Sequence, residues 1–261
     1  MKTAATQFRS GELFADLYEN PGKPLVVIIG GSKGGFAGVS AFLFEYLTGK
    51  YSVLLLAYFG VDGLPKRLSR IPLEYFINGI HAVKDKLDLK DEEVVLIGNS
   101  KGGEAVLVLI SGYLPAGAAV ACVPSCYVWQ GIPGGFVDGM FPRSSWTYRK
   151  KPLPFMKMAF NREILREVKR HIYVSCYAEA IRKNPDEKAK IDLRNYKGKL
   201  LLLSAEEDNY WPSMAMCNAM VHDFSIDITH IALKQQGHLF LEYEDSVREI
   251  IAFLERTGKT G

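Results

Sequence analysis

The chain has 261 residues, of which 48% are hydrophobic and 23% are charged, as is typical of a globular protein. Its 32 Lys and Arg residues against 29 Asp and Glu residues give a formal net charge of +3, too small an excess to indicate a nucleic-acid partner. At this length a hydrophobic core needs no metal or disulfide support.

The four cysteines, Cys122, Cys126, Cys176 and Cys217, lack the clustering of a metal site. Cys122 and Cys126 have a C-x3-C spacing, but no second pair and no nearby histidine completes a zinc site. We therefore expect free thiols in a reducing compartment, with no metal and no cofactor. Residues 1–14 lack the apolar stretch of a signal peptide, so the sequence predicts a cytoplasmic protein.

Apolar, β-branched segments alternate with helical patterns along the chain. The predicted strands are Leu25–Ile29, Ser52–Ala57, Val94–Ile97, Ala118–Val123, Lys199–Leu203 and Ile228–Leu233. The predicted helices are Gly38–Leu47, Leu73–Leu87, Gly103–Tyr113, Pro212–Val221 and Glu244–Arg256. Because these strands are apolar almost throughout, we expect them to be covered on both faces, in a mostly parallel, doubly wound α/β sheet.

Residues 105–137 contain no charged residue, so we considered a membrane span. Pro115, Gly112 and Gly117 divide the segment into two apolar pieces, and neither approaches the roughly 20 residues that a spanning helix needs. The sequence therefore predicts a buried helix followed by a buried strand, and no membrane span.

The alternation of strands and helices lapses between residues 124 and 196. Within this region, residues 143–190 hold 13 Lys and Arg against 5 Asp and Glu, a net charge of +8. This pattern predicts a basic, partly helical cap inserted over the sheet of a single domain that spans residues 1–261.

The motif G-x-S-K-G-G occurs twice, at residues 30–35 and 98–103. Each copy follows a predicted strand and matches G-x-S-x-G, which places a nucleophilic serine on a sharp turn between a strand and a helix. A predicted buried helix follows the second copy, and by local form the first copy fits almost as well, so position along the chain decides between them. We predict the nucleophile at Ser100, in a turn with Gly98, Asn99 and Gly102. A chance occurrence of the pattern is the alternative.

The first copy follows the first long predicted strand, and one predicted strand lies between it and the second copy. In α/β-hydrolases the loop after an earlier strand donates a backbone N–H to the oxyanion hole. The residues predicted to supply this hole are Gly31, Ser32, Lys33 and Gly34, together with the N–H of Lys101. For Ser32 itself we prefer an ordinary turn serine to a nucleophile.

In an α/β-hydrolase the acid and then the histidine follow the serine in the sequence. His238 lies just after the last predicted strand and is predicted to be the general base. Asp208 follows the strand before it and is predicted to orient His238, whereas Glu206 and Glu207 are expected to face solvent. The remaining histidines are interpreted as packed or surface residues: His81, His171, His222 and His230.

Four stretches are similar to the hydrolase domain shared by acyl-CoA thioesterases and bile acid-CoA:amino acid N-acyltransferase. They are AYFGVDGLPKRLSRIPLEYF (57–76), LIGNSKGGE (96–104), WTYRKKPLPFM (146–156) and LLLLSAEEDNYWPS (200–213). The resemblance extends from about residue 20 to 255 and implies an α/β-hydrolase fold. It also implies a nucleophile at Ser100, an acid at Asp208 and a histidine at His238.

In this family a serine nucleophile accompanies thioester hydrolysis, and a cysteine accompanies conjugation to amino acids. Three features depart from the family pattern. Ala205 replaces the usual glycine before the acidic pair, LFLEY (239–243) lacks the usual prolines, and the chain begins close to the hydrolase without the β-sandwich domain of animal members.

The sequence therefore predicts a serine hydrolase that cleaves acyl-CoA to an acid and coenzyme A. Arg149, Lys150 and Lys151 are candidates for binding the coenzyme A phosphates, with a solvated cap surface as the alternative, and Trp211 is a candidate substrate contact. Three alternative functions stay open: a carboxylesterase or peptidase with the same triad, transfer of the acyl group to an amino acid, and a non-enzymatic binding module.

Overall fold

A twisted eight-stranded sheet forms the centre of the protein in the computed structural model, which describes residues 5–134, 139–238 and 243–258. From one edge to the other the strands are β1 (Thr6–Ser10), β2 (Leu13–Tyr18), β4 (Ser52–Ala57), β3 (Leu25–Ile29), β6 (Val94–Asn99), β7 (Ala118–Cys122), β10 (Lys199–Ala205) and β11 (Ile228–Leu233). The pairs β1–β2 and β2–β4 are antiparallel. From β4 to β11 all neighbours are parallel.

Helices cover both faces of this sheet. They are α1 (Ala41–Lys50), α2 (Leu73–Lys86), α3 (Lys101–Ile110), α4 (Arg162–Val168), α5 (Val174–Lys183), α6 (Ser213–Asp223) and α7 (Glu244–Thr257). Buried side chains of α2, α3 and α6 join the cap in one core, and those of α1 and α7 form the core on the opposite face. The predicted doubly wound, mostly parallel sheet is confirmed.

Each central strand contributes to both cores because successive side chains point to opposite faces of a sheet. In β3, Val27 and Ile29 pack in the core beneath α2 and α3, and Val26 and Ile28 pack in the core beneath α1 and α7. All five residues of this strand are buried, which explains why its sequence is apolar throughout and does not alternate.

The six predicted strands are present, with small differences where they end. β6 and β10 run two residues further than predicted, and β7 ends one residue earlier. The five predicted helices are present as well, and α1 begins three residues later, at Ala41. Among the described helices none is both long and apolar enough to cross a bilayer.

Two groups of strands were not predicted. The β1–β2 hairpin lies at the sheet edge, and β1 exposes most of its polar residues, so it has no continuous apolar run. A second, three-stranded sheet joins β5 (Ile71–Pro72), β8 (Trp146–Tyr148) and β9 (Lys151–Pro152). Its strands have two or three residues each, which is too short for a hydrophobic period to show.

The predicted cap contains β8, β9, α4 and α5 and is therefore partly helical. Residues 135–138 of the cap, and residues 239–242 of the LFLEY segment, lie outside the described residues. Ala205, where the family usually has glycine, is the buried last residue of β10.

The parallel strands bring four loops to one edge of the sheet. β3, β6, β10 and β11 all end there, and the chain then enters the loops that begin at Gly30, Ser100, Glu206 and Lys234. Because parallel strands share the edge at which they end, groups separated by more than a hundred residues meet at this edge.

Two glycines at this edge permit contacts between backbones. A Cβ atom at Gly98 would overlap the carbonyl oxygen of Gly102, and one at Gly102 would overlap the carbonyl oxygens of Ile29 and Gly30. The turn between β6 and α3 therefore packs against the end of β3 without any side chain between them.

We expect Gly102→Ala to lower the free energy of unfolding by about 2–3 kcal/mol, because backbone atoms would have to move to admit the methyl group. Gly49→Ala is the matched control. A Cβ at Gly49, inside α1, would meet no atom within 4 Å. This control should raise the stability by about 0.5–1 kcal/mol, since alanine favours the helix. Urea titrations compare the two, and equal effects would contradict the packing argument.

Candidate active site

Ser100 lies in the turn between β6 and α3 with a strained backbone. Its φ of 57° and ψ of −118° lie in a region that side chains other than glycine rarely adopt. The turn is held because the Ser100 N–H donates to Cys122 O at 2.9 Å and the Glu104 N–H donates to Ser100 O at 3.0 Å. This geometry points the hydroxyl away from the sheet, at the end of β6, as a nucleophile turn requires.

His238 joins Ser100 to Asp208 through two hydrogen-bonding ring nitrogens. Nε2 of His238 lies 2.7 Å from Oγ of Ser100, and Nδ1 lies 2.9 and 3.0 Å from the two carboxylate oxygens of Asp208. The side chains of His238 and Asp208 are 6% and 2% exposed. With a proton on Nδ1 facing the carboxylate, Nε2 is free to accept the proton of the serine hydroxyl.

The loop after β10 fixes the carboxylate. Oδ1 of Asp208 accepts hydrogen bonds from the backbone N–H groups of Tyr210 at 2.9 Å and Trp211 at 3.2 Å, so the side chain caps its own turn. Glu206 and Glu207 are exposed, in agreement with their predicted orientation towards solvent.

Two aromatic rings enclose the imidazole. Tyr210 stacks on His238 with 4.5 Å between ring centroids and 16° between planes, and Trp211 contacts the same ring edge-on at 5.8 Å. Trp211 is buried, and its indole N–H donates to Val123 O at 2.9 Å. Trp211, a predicted substrate contact, packs against His238 and also lines the cavity that is described below.

The loop after β3 passes beside Ser100, as predicted. A Cβ atom at Gly31 would lie 3.3 Å from Cβ of Ser100. Ser32 lines the same cavity as Ser100, Lys33 is exposed, and Gly34 has a φ of +73°. Lys101 directly follows Ser100 and is the first residue of α3. Its backbone N–H therefore has no hydrogen-bond partner within the helix.

A buried ion pair that we did not predict lies directly behind the turn. Nζ of Lys101 is 2.6 Å from Oε2 of Glu104, and the two side chains are 3% and 0% exposed. Oε1 of Glu104 accepts hydrogen bonds from the Trp129 N–H at 3.2 Å and the Trp146 indole N–H at 2.8 Å. Burial lowers the pKa of Lys101 and raises the pKa of Glu104, and their mutual attraction opposes both shifts.

The pair links the first turn of α3 to two tryptophans of the cap. A Lys and a Glu three residues apart in a helix after G-x-S are the only sequence signal for it, and such pairs are usually found on exposed surfaces. The burial of both charges is decided by the cap, which the sequence of α3 does not contain.

A large cavity of about 900 Å³ opens above Ser100 and His238, beneath the cap. Its walls are mostly apolar and come from the loop before residue 134, from α4, from α5 and from the loop after β10. The apolar lining residues include Ile132, Met158, Phe160, Leu165, Val168, Tyr173, Tyr177 and Tyr210. The arrangement places a polar hydroxyl–imidazole pair at one end of an apolar chamber.

Arg149, Lys150 and Lys151, the candidates for binding coenzyme A phosphates, are not among the described residues that line this cavity. They lie at the exposed turn between β8 and β9, where the ring of Tyr148 packs against Tyr113 at 4.8 Å. Tyr113 lies three residues after the end of α3, a helix that begins beside Ser100 and is about 15 Å long. Pairing of β8 with β5 thus holds the three cations at the far end of α3.

The other histidines lie apart from Ser100. His81 is in α2, His222 is exposed in α6, and His230 is in β11 with Nε2 2.8 Å from Oγ of Ser204. His171 lies in the turn after α4 with a φ of 61°.

The family model described as "BAAT / Acyl-CoA thioester hydrolase C terminal" matches residues 71–241, more than half of the chain. Acyl-coenzyme A thioesterase 1 of Homo sapiens is 27% identical over 220 residues, which are 80% of this chain and 47% of that protein. Acyl-coenzyme A thioesterase 5 of Mus musculus is 29% identical over 212 residues, or 78% and 46%. The chain spans about half the length of the curated relatives it matches.

Solved structures share the fold. A puromycin hydrolase superposes with a TM-score of 0.65 at 15% identity, over 98% of this chain and 39% of that chain. A monoacylglycerol lipase of Paleococcus ferrophilus gives 0.61 at 20% identity, over 94% and 98%. An α/β hydrolase from Penicillium gives 0.59 at 12% identity, over 98% of both chains. The predicted α/β-hydrolase fold is confirmed.

We expect Glu104→Gln to lower the free energy of unfolding by about 3–5 kcal/mol, because it leaves the Lys101 cation buried without a counter-charge. The double variant Lys101→Met/Glu104→Gln should recover part of this loss, since no charge is then buried. Lys50→Met/Glu255→Gln breaks an exposed pair of 3.1 Å and should change the stability by less than about 1 kcal/mol. Urea titrations measure these stabilities. A double variant that is no more stable than Glu104→Gln would contradict the interpretation.

Proposed function

The chain belongs to the BAAT / acyl-CoA thioester hydrolase C-terminal family, and on this basis we propose that it is a serine hydrolase that cleaves acyl-CoA thioesters. The products are a carboxylic acid and coenzyme A. The proposal is carried by one observation, the 2.7 Å contact between Nε2 of His238 and Oγ of Ser100, with Asp208 on the other ring nitrogen, at one end of an apolar cavity.

Acylation begins with a proton transfer. As Oγ of Ser100 attacks the carbonyl carbon of the thioester, its proton moves to Nε2 of His238, and Asp208 stabilises the imidazolium that forms. The carbonyl oxygen becomes an oxyanion that accepts hydrogen bonds from the N–H of Lys101 and from one N–H of residues 31–34. Each such donor contributes about 3–4 kcal/mol to lowering the barrier.

Collapse of the tetrahedral intermediate breaks the carbon–sulfur bond, and His238 returns its proton to the departing thiolate. A water molecule then gives its proton to Nε2 and attacks the acyl-serine ester. Breakdown of the second intermediate transfers that proton to Oγ of Ser100 and releases the acid. His238 thus acts once as base and once as acid in each half of the reaction.

The apolar cavity suits the acyl group of such a substrate. Its walls carry few polar atoms, so an acyl chain that enters it leaves few polar groups of the wall without a hydrogen-bond partner. Tyr210 and Trp211 pack against the imidazole and hold its orientation for proton transfer.

Hydrolysis of carboxylic esters is the second candidate. It is supported by the position of Arg149, Lys150 and Lys151 at the far end of α3, because an ester needs no cations to hold coenzyme A phosphates. Among the described residues that line the cavity, Lys101 is the sole lysine or arginine, and it is paired with Glu104.

We expect Ser100→Ala to reduce kcat/KM for acyl-CoA by about 10⁴-fold or more, because the attacking oxygen is removed. Ser32→Ala, in the other copy of the motif, is the matched control. It leaves every backbone N–H in place and should lower kcat/KM less than tenfold. Loss of an oxyanion donor, by comparison, costs about 10²–10³-fold. Release of free thiol measures the rate, and a thermal melt checks the fold. Comparable losses in the two variants would show that the nucleophile is misassigned.

A fluorophosphonate probe separates an enzyme from a binding module without knowledge of the substrate. We expect it to label the native chain at Ser100 and not to label the Ser100→Ala or His238→Gln variants, since the hydroxyl needs its base to react. Peptide mass spectrometry locates the adduct. An unlabelled native chain would favour a non-enzymatic module.

The third test compares kcat/KM across acyl-CoAs and p-nitrophenyl esters of equal chain length. The proposal requires higher values for the acyl-CoAs, and the esterase alternative requires the reverse. Glycine or taurine added to the acyl-CoA reaction tests acyl transfer, because attack by the amine on the acyl-serine would yield an amide that mass spectrometry detects. Free acid as the sole product supports hydrolysis.

A further inference from the structure

The mouth of the cavity is surrounded by large apolar side chains that face solvent. Met140, Phe160, Leu165 and Tyr210 line the cavity and are 57%, 48%, 50% and 37% exposed, and Phe141, next to Met140, is 67% exposed. We call these five residues the cavity rim. Single exposed apolar residues are ordinary, but several grouped around one opening usually mark a surface that contacts another molecule.

Cations accompany the rim on α4. Leu165 shares a helix face with Arg162, three residues earlier, and Lys169, four residues later, and both are exposed. Arg166 and Arg170 are exposed beside them. Within the described residues none of these four cations is in an ion pair.

Some other surface cations of the cap are in ion pairs. Arg182 and Lys183 of α5, for example, both pair with Glu179. The cap segment 143–190 has a net charge of +8, and the rest of the chain has −5. The four cations at and just after α4 are the part of this positive charge that is adjacent to the rim.

We propose that the cavity rim docks on the surface of an anionic lipid bilayer. Apolar side chains placed beside Arg and Lys suit the boundary between acyl chains and headgroups, where the apolar groups enter the hydrocarbon and the cations meet lipid phosphates. The Tyr210 ring has a suitable amphipathic character for the same depth. The cavity then opens directly towards the membrane.

Charge complementarity selects this occupant over a second copy of the chain. In a two-fold dimer the same patch occurs on both sides, so contact between two rims would bring two sets of unpaired α4 cations together. A bilayer of anionic lipid presents the opposite charge, and each nearby cation strengthens binding about fivefold.

Sedimentation with vesicles tests the docking. We expect the full chain to sediment with vesicles of equal parts phosphatidylcholine and phosphatidylserine and to stay in the supernatant with phosphatidylcholine alone. Added salt should weaken binding, because it screens the charges. Equal binding to both vesicles, or to neither, would overturn the proposal.

Matched variants locate the surface. Phe141→Ser, which changes a rim residue, should weaken binding at least threefold, and Phe42→Ser should not. Phe42 is 55% exposed on α1, on the opposite face of the sheet. If both substitutions act equally, the rim is not the docking site.

Arg162→Glu/Lys169→Glu should reduce binding at least tenfold, on the basis of about fivefold for each cation near the surface. Its control, Lys23→Glu/Lys197→Glu, makes the same charge change just before β3 and β10, at the edge of the sheet opposite the cavity. An equal loss in the control would mean that net charge alone drives binding, and this would also overturn the proposal.

Size-exclusion chromatography of the native chain and Phe141→Ser checks the remaining occupant. A native dimer that the substitution converts to a monomer would assign the rim to a second copy of the chain. The inference does not rest on the proposed function, since vesicle binding is measured without turnover. A Ser100→Ala chain that binds vesicles but hydrolyses nothing would show that vesicle binding is independent of catalysis.

Discussion

The backbone contact between the Ser100 turn and the end of β3 is the constraint on which the rest of the site depends. Gly98 and Gly102 have no side chains at the two points where a Cβ would overlap a neighbouring carbonyl, so the turn is packed directly against the strand that leads to the Gly31 loop. This contact brings Gly31 beside Ser100. It sets the distance between the hydroxyl and both groups of candidate oxyanion donors, and it holds the strained backbone of Ser100 in place.

The buried pair of Lys101 and Glu104 extends this constraint to the cap. Glu104 accepts hydrogen bonds from Trp129 and Trp146, so charge-assisted bonds between buried groups connect the first turn of α3 to the cap. A movement of the cap would therefore displace the Ser100 turn as well. On the other side of the cavity, the N–H groups of Tyr173 and Val174 donate to Asn209 O, next to Asp208, so the cap is also tied to the loop that carries the acid.

The polarity of the cavity connects the proposed chemistry with the proposed docking. The Ser100 hydroxyl and the His238 imidazole line the cavity, Tyr210 and Trp211 pack against the imidazole, and other apolar groups extend from there to the rim. An acyl chain can thus remain out of water from a lipid surface to Ser100. The cations of Arg149, Lys150 and Lys151 take no part in this path, because the small sheet of β5, β8 and β9 holds them at the far end of α3.

Sequence alone determined the central strands, the order of Ser100, Asp208 and His238, and the position of the Gly31 loop, because buried strands and tight turns demand particular residue types within a few positions. It missed β1, whose edge position requires only a half-apolar pattern, and β2, in which Asp16 interrupts the apolar run. It missed Glu104, because the burial of this residue depends on how the cap folds over α3. Tertiary structure alone decided the 2.7 Å hydrogen bond between His238 and Ser100, the burial of Lys101 and the shape of the cavity. Those features arise from contacts between segments far apart in the chain, and no local pattern encodes a distance.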